Sequence, residues 1–162
     1  MIKSSEFNWK NDDINEQNFP IIAQKKKEQQ VECELYTIDC AMTGDAILKE
    51  MDEKGYLACT LPELLAFEKI YRKEWTKNWI IIALGAQWRD LARGVHVPYL
   101  GRDIDGRGLG FFWLGGGYNP CCQFLVSRKS LETGSIGTQE NRQSDTWSLH
   151  YCPSCGHKLP TL

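Results

Sequence analysis

The chain has 162 residues, with 19 Lys plus Arg against 21 Asp plus Glu, 42% hydrophobic residues and 25% charged ones. This length and apolar share give one ordinary domain with a real core and exclude wholesale disorder. A net charge of -2 argues against a dedicated polyanion binder, and the longest apolar run, Trp79 to Leu84, is far short of the roughly 18–20 residues of a membrane span.

Residues 1–35 read as a polar N-terminal arm, rich in Asn, Gln, Lys and Glu and partly disordered on its own. Trp9, Phe19, Ile21 and Ile22 are its candidates for docking on a body or a partner, and Lys25-Lys26-Lys27 is expected to be solvated. Met1 to Lys10 contains no apolar segment, so no secretory signal is expected and a cytoplasmic setting follows.

Residues 36–162 read as a single α+β domain: a helical hairpin over 41–78, then a small Gly-rich antiparallel sheet over 79–151. Thr43 is the candidate N-cap of the first helix, Ile47, Leu48 and Met51 line one side, and Gly55 stands where a C-terminal glycine belongs. Thr60-Leu61-Pro62-Glu63 has the spacing of a capping box with Pro in the first turn. Leu64, Phe67, Tyr71 and Trp75 then recur every three or four residues as a core-facing stripe.

From Trp79 the pattern changes to strands and glycines. Ile80 to Leu84 reads as a buried strand. Val95–Leu100 and Leu109–Leu114 flank Asp105-Gly106, a two-residue hairpin signal. Cys122–Ser127 and Thr146–Tyr151 supply two further strands, separated by a loop over 129–145. Nine of the 14 glycines fall between Gly85 and Gly117. The run from Asp103 to Gly108 begins like a calcium loop, but Arg107 and Leu114 occupy positions that need oxygen ligands, so no calcium is expected. Gly106-Arg-Gly108-Leu-Gly110 and Gly115-Gly116-Gly117 lack the Gly-Lys-Ser/Thr ending of a phosphate loop, and hairpin geometry accounts for them better.

Seven cysteines (33, 40, 59, 121, 122, 152 and 155) are many for this length. In a reducing compartment, clustered Cys favours metal over disulfide. The informative stretch is His150-Tyr-Cys152-Pro-Ser-Cys155-Gly-His157. A Cys-x-x-Cys followed by Gly turns backbone N–H groups toward two sulfurs and stabilises thiolates on a soft cation. Residues 150–159 resemble one half of a zinc ribbon or rubredoxin-type knuckle, which implies a structural Zn2+ on Cys152 and Cys155. Thiol–disulfide exchange by the same motif would need a helix after Cys155, where Pro160 stands.

A second Cys-x-x-Cys is missing. Cys121 and Cys122, in Asn119-Pro120-Cys121-Cys122, are the first complement expected, followed by His150, which alternation places on the same strand face as Cys152, and then His157. A zinc joining Cys152 to Cys121 would close a loop of about 30 residues, worth about 3–4 kcal/mol by loop entropy. Cys33, Cys40 and Cys59 lack paired spacing and read as small hydrophobes.

Gly55-Tyr-Leu-Ala-Cys-Thr-Leu-Pro-Glu-Leu-Leu-Ala-Phe67, Ile82-Ala-Leu-Gly85 before Trp88-Arg89, Val97-Pro-Tyr-Leu100 and Phe124-Leu-Val-Ser-Arg-Lys129 resemble, in content and order, a set of small uncharacterised bacterial proteins over residues 43–129. The resemblance implies architecture and brings no activity with it.

Up to residue 80 the chain has ten Lys and one Arg; from residue 81 it has six Arg and two Lys. Arg89, Arg93, Arg102 and Arg107 sit among Trp88, Tyr99, Phe111 and Trp113, a composition suited to phosphates, bases or acidic peptides. Neutralisation by Asp90, Asp103 and Asp105, with the aromatics in the core, explains the same residues. The expectation is a zinc-stabilised interaction module without catalysis, binding a protein partner. A nucleic-acid accessory role on an Arg/aromatic sheet is the alternative. A hydrolase, on an open zinc or with Cys121 or Cys122 as nucleophile and His96 or His150 as base, comes last.

Overall fold

The computed structural model describes residues 7–19, 29–75, 80–129 and 146–151. In chain order the elements are β1 (Trp9–Lys10), β2 (Gln29–Thr37), β3 (Met42–Thr43), α1 (Gly44–Glu53), β4 (Tyr56–Ala58), α2 (Leu61–Ile70), α3 (Arg72–Trp75), β5 (Ile80–Ile82), β6 (Trp88–Arg89), β7 (Val95–Asp103), β8 (Gly106–Trp113), β9 (Gly117–Tyr118), β10 (Gln123–Arg128) and β11 (Thr146–Tyr151). Nine of these strands form one mixed sheet in the order β1-β8-β7-β5-β10-β2-β11, with β4 added to β10 and β6 to β7; β3 and β9 pair separately. The ladders β1–β8 and β5–β10 are parallel and the rest of the sheet is antiparallel.

This corrects the expectation of an N-terminal helical hairpin followed by a small antiparallel sheet. The chain is mostly β. Tyr56–Ala58, between the two helices, is a strand that pairs with Val126–Arg128, so α1 and α2 are separated by a sheet strand. They pack on opposite faces. Alternation along each strand sends neighbours to opposite sides: Ile81 and Leu125 join Leu64 and Phe67 of α2 in one core cluster, whereas Ile82, Phe124 and Val126 join Ile47 and Met51 of α1 in the other. A sheet covered on both faces must be apolar on both, which is why β5 and β10 read as continuous apolar runs.

Residues 7–19 and 29–37 also enter this architecture. The boundary drawn at residue 35 falls inside β2, which lies between β10 and β11. Phe7, Ile14 and Phe19 are buried in the α2-side cluster; Ile21 and Ile22, also expected to dock, lie outside the described residues. The local signals for helix ends hold. Thr43 Oγ1 accepts from the Ala46 amide at 3.3 Å, and Gly55 has φ +81° after the end of α1. The Glu63 carboxylate accepts from the Thr60 amide at 2.6 Å and hydroxyl at 3.1 Å. The β7–β8 hairpin turns at Ile104-Asp105, one residue before the sequence signal Asp105-Gly106, and Gly106 at φ +111° opens β8. Among the described residues no helix is long and apolar enough to cross a membrane.

Candidate functional site

Two polar groups with buried members stand on the α2 side of the sheet, along β7 and β8. Directly opposed residues of an antiparallel pair share a face, so Arg102 with Arg107, Leu100 with Leu109, Pro98 with Phe111 and His96 with Trp113 form four rungs on this side. The leucine rung is buried in the cluster that α2 covers. A polar group stands at each end.

At the hairpin end, Glu68 of α2 is 1% exposed. Its Oε1 accepts from Arg72 Nε at 2.8 Å and its Oε2 from Arg72 Nη2 at 3.1 Å. Arg107 Nη1 donates to the same Oε1. A buried carboxylate needs such partners, because desolvation would otherwise drive it neutral. The backbone beneath Arg107 is fixed too: Asn8 Oδ1 accepts from the Arg107 amide at 2.9 Å and the Asn8 amide donates to the Arg107 carbonyl at 2.8 Å. Sequence reading picked out Arg107 and missed Glu68 and Arg72. A signal was present: Glu68 stands four residues after Leu64, on the buried stripe of α2, where a carboxylate demands a cation.

At the other end, His96 Nε2 and Asp90 Oδ2 are 2.8 Å apart. The imidazole is packed between Trp88 and Phe111, at centroid distances of 5.2 and 4.6 Å, and Phe19 covers Trp88. His96 Nδ1 is buried without a hydrogen-bond partner. Asp90 Oδ1 accepts from the Gly94 amide at 2.8 Å. The His96 N–H and this amide hold the Asp90 carboxyl below the usual range. The pair therefore staples the β6–β7 turn, with Arg93 at φ +68° closing it.

The four arginines of the sequence reading do not form one surface. Arg89 and Arg93 flank the β6–β7 turn with Trp88, and Trp113 belongs to that end as well. Arg102 and Arg107 lie at the hairpin end, six residues of β7 beyond His96, or about 20 Å. The faces of Trp88 and Phe111 are taken by Phe19 and His96.

The metal candidates are also distributed. Cys152, Cys155 and His157 lie outside the described residues; His150 lies on β11, paired with Gln30. Cys121 and Cys122 are in the turn that precedes β10: the Cys122 amide donates to the Asn119 carbonyl and the Cys121 amide to Asn119 Oδ1, both at 3.0 Å. Cys121 is exposed, while Cys122 is buried in the α1-side core. Burial pushes the Cys122 thiol up. Gln123 is paired with Thr37 at one end of β2, and Tyr151 with Gln29 at the other. Cys122 and Tyr151 are thus separated by the length of β2, about 30 Å, and the described fold does not bring Cys121 or Cys122 to the strand end from which Cys152 continues. Among the described residues no group of three or more His, Cys, Asp or Glu is placed to hold a metal.

Cys33 and Cys59 are a further pair, with sulfurs 3.7 Å apart in the α2-side core. The hydrogen bond between them and their burial push the Cys59 thiol well up, the reverse of what a nucleophile or metal ligand requires. Comparison with protein families, with curated proteins and with solved structures yields no match to this chain.

Proposed function

We propose that the chain is a protein-interaction module whose C-terminal knuckle holds a structural zinc and which performs no catalysis of its own. The observation that carries this reading is the position of its exposed aliphatic residues. Leu91 and Ile104 are fully exposed. Each occupies a turn at one end of β7, and each is bracketed by arginines: Leu91 by Arg89 and Arg93, Ile104 by Arg102 and Arg107. Isolated exposed aliphatics are ordinary, but hairpin tips that combine them with Arg, and with Trp113 at 61% exposure, have the composition of interface anchors. Several groups with chemical potential are engaged elsewhere. His96 is held by Asp90, and the Cys59 and Cys122 thiols are pushed toward the protonated form.

In this reading Cys152 and Cys155 supply two zinc ligands, and the others come from His150 and His157, which flank them in sequence, because Cys121 and Cys122 lie a strand length from Tyr151. The nucleic-acid reading has less support, since its arginines are split between two ends of β7 and Trp88 and Phe111 are packed against Phe19 and His96.

Native mass spectrometry of the full chain, purified without added zinc, tests the metal half. One zinc per chain is expected, lost in Cys152→Ser and Cys155→Ser and kept in Cys121→Ser. Affinity capture with Leu91→Ser and Ile104→Ser as comparators tests the surface: a partner held by the parent and lost in one of these variants is expected. A zinc-free parent overturns the first half, and a partner retained by both variants overturns the second.

A further inference from the structure

We infer that the β6–β7 turn, with Leu91 between Arg89 and Arg93, is the docking surface for an acidic segment of a partner protein. This rests on the interaction-module reading and gives it a surface and a partner chemistry. Leu91 is fully exposed, and Arg89 and Arg93 on either side of it are exposed as well. Among the described residues neither guanidinium has an ion pair or a side-chain hydrogen bond. The hairpin tip differs, because Arg102, Asp105 and Arg107 beside Ile104 all have interactions of their own.

The one acidic residue of the turn is engaged by its own scaffold. Asp90 Oδ2 lies 2.8 Å from His96 Nε2, and Asp90 Oδ1 accepts from the Gly94 amide at 2.8 Å. Gly94 admits the carboxylate, since an added Cβ would fall 3.0 Å from Asp90 Oδ2. Two backbone bonds close the turn: the Asp90 amide donates to the Gly94 carbonyl at 2.9 Å, and the Arg93 amide to the Asp90 carbonyl at 3.0 Å. Asp90 makes no ion pair with Arg89 or Arg93. Arg93 stands at φ +68°, a left-handed conformation that is costly for an L residue and that glycine adopts freely. A cation is thus kept where the backbone favours glycine.

Trp113, 61% exposed, lies directly opposite His96 on β8, and His96 is two residues from Gly94, about 7 Å along the chain. The turn and Trp113 therefore present Arg, Leu and Trp on a backbone that is already fixed. Arg and Trp are frequent anchors of protein interfaces, and a fully exposed leucine offers apolar area that a sugar-phosphate backbone does not cover. Two guanidiniums without partners call for carboxylates, which accept bidentate N–H pairs from Arg. The occupant is accordingly a protein segment that carries Asp or Glu beside apolar residues.

The test is an amide-resolved NMR titration of the full, isotope-labelled chain with a synthetic peptide in which Glu alternates with Leu and Phe. Parallel titrations use the same peptide with Lys in place of Glu, and single-stranded oligothymidylate. Saturable shifts at the Leu91, Ala92 and Arg93 amides and the Trp113 indole are expected with the acidic peptide and not with the Lys peptide. Arg89→Gln combined with Arg93→Gln, and separately Leu91→Ser, should weaken binding at least about tenfold. Lys49→Gln, on the exposed side of α1, should leave it unchanged. Raising the ionic strength from about 0.1 M to about 1 M should weaken the parent more than the double variant, because these charges lie in solvent. Arg93→Gly relieves the left-handed backbone, so it should lose affinity without losing Tm; a lower Tm would show that the guanidinium holds the turn and overturns the inference. No shift, an equal shift with the Lys peptide, or undiminished affinity in the double variant or in Leu91→Ser overturns it too. Tighter binding of oligothymidylate than of the acidic peptide at these residues assigns the turn to nucleic acid instead. Peptide shifts confined to the Ile104 tip overturn this surface and leave the interaction-module reading standing.

Discussion

Glu68 and Arg107, 39 residues apart in sequence, meet beneath the β7–β8 hairpin and tie the end of α2 to β8. Arg72 holds the same carboxylate from the helix side. Removing the carboxylate leaves two guanidiniums facing each other, whereas removing one arginine leaves Glu68 still paired. Glu68→Gln is therefore expected to cost about 1–3 kcal/mol, and Arg72→Gln clearly less because its guanidinium is partly solvated. Urea unfolding of both variants checks the order. Equal losses would show that the carboxylate is not the shared anchor.

The Trp9 indole covers Gly108 so closely that an added Cβ would fall 1.8 Å from the ring. Trp9 and Gly108 are direct partners in the β1–β8 ladder, and the missing side chain is what seats the ring. Gly108→Ala is expected to destabilise by about 1–3 kcal/mol through overpacking. In a Trp9→Leu background the same change should cost less, which a double-mutant cycle measures. Gly117→Ala, where nothing lies within 4 Å, should stay within about 0.5 kcal/mol of the parent.

These contacts mark the line between what was legible in the sequence and what was not. Helix ends were legible because capping is local: Thr43, Gly55, and Thr60 with Glu63 each act within four residues. The hairpin near Asp105-Gly106 was legible for the same reason, whereas the seating of the Trp9 ring on Gly108 had no signal in the sequence. The sheet was not. In β2, Val31, Cys33 and Leu35 alternate with Glu32 and Glu34, a half-polar strand whose neighbours β10 and β11 come from far downstream. In β4, three residues are too few for any period to show. The placing of α1 and α2 on opposite faces follows from those two strands, so missing them produced the helical hairpin. The Glu68–Arg107 contact was hidden likewise, because the two stand 39 residues apart and no spacing between them signals it.

Asp90 contributes to the acid limb of stability. Hydrogen bonds from His96 and the Gly94 amide hold its carboxyl below the unfolded value of 3.8. A depressed folded-state value means stability that is present above the unfolded pKa and lost as pH falls through the folded one. The parent should lose stability below about pH 4, and Asp90→Asn should flatten part of that loss while keeping the shape of the turn. Denaturation midpoints at about pH 7, 4 and 2.5 check this. An unchanged acid slope in the variant would show that the His96–Asp90 contact is not formed in solution.

The alkaline limb has the opposite sign. Cys59 is pushed up by its hydrogen bond with Cys33 and by burial, and Cys122 by burial, from an unfolded value of 9.0. Burial raises Tyr118 and Tyr36 as well. Raised folded-state values mean that the native state keeps protons the unfolded state releases, so stability is full below about pH 9 and declines as pH rises further. The same burial predicts the thiol chemistry. In a Cys152→Ser, Cys155→Ser background at neutral pH, Cys40 and Cys121, which are exposed, should react at once with a disulfide reagent, while Cys33, Cys59 and Cys122 should react only on unfolding. Two fast thiols in the native protein and five in urea is the expected count from these residues. A third fast thiol would place Cys122 at the surface, return it to consideration as a metal ligand and remove its share of the alkaline loss.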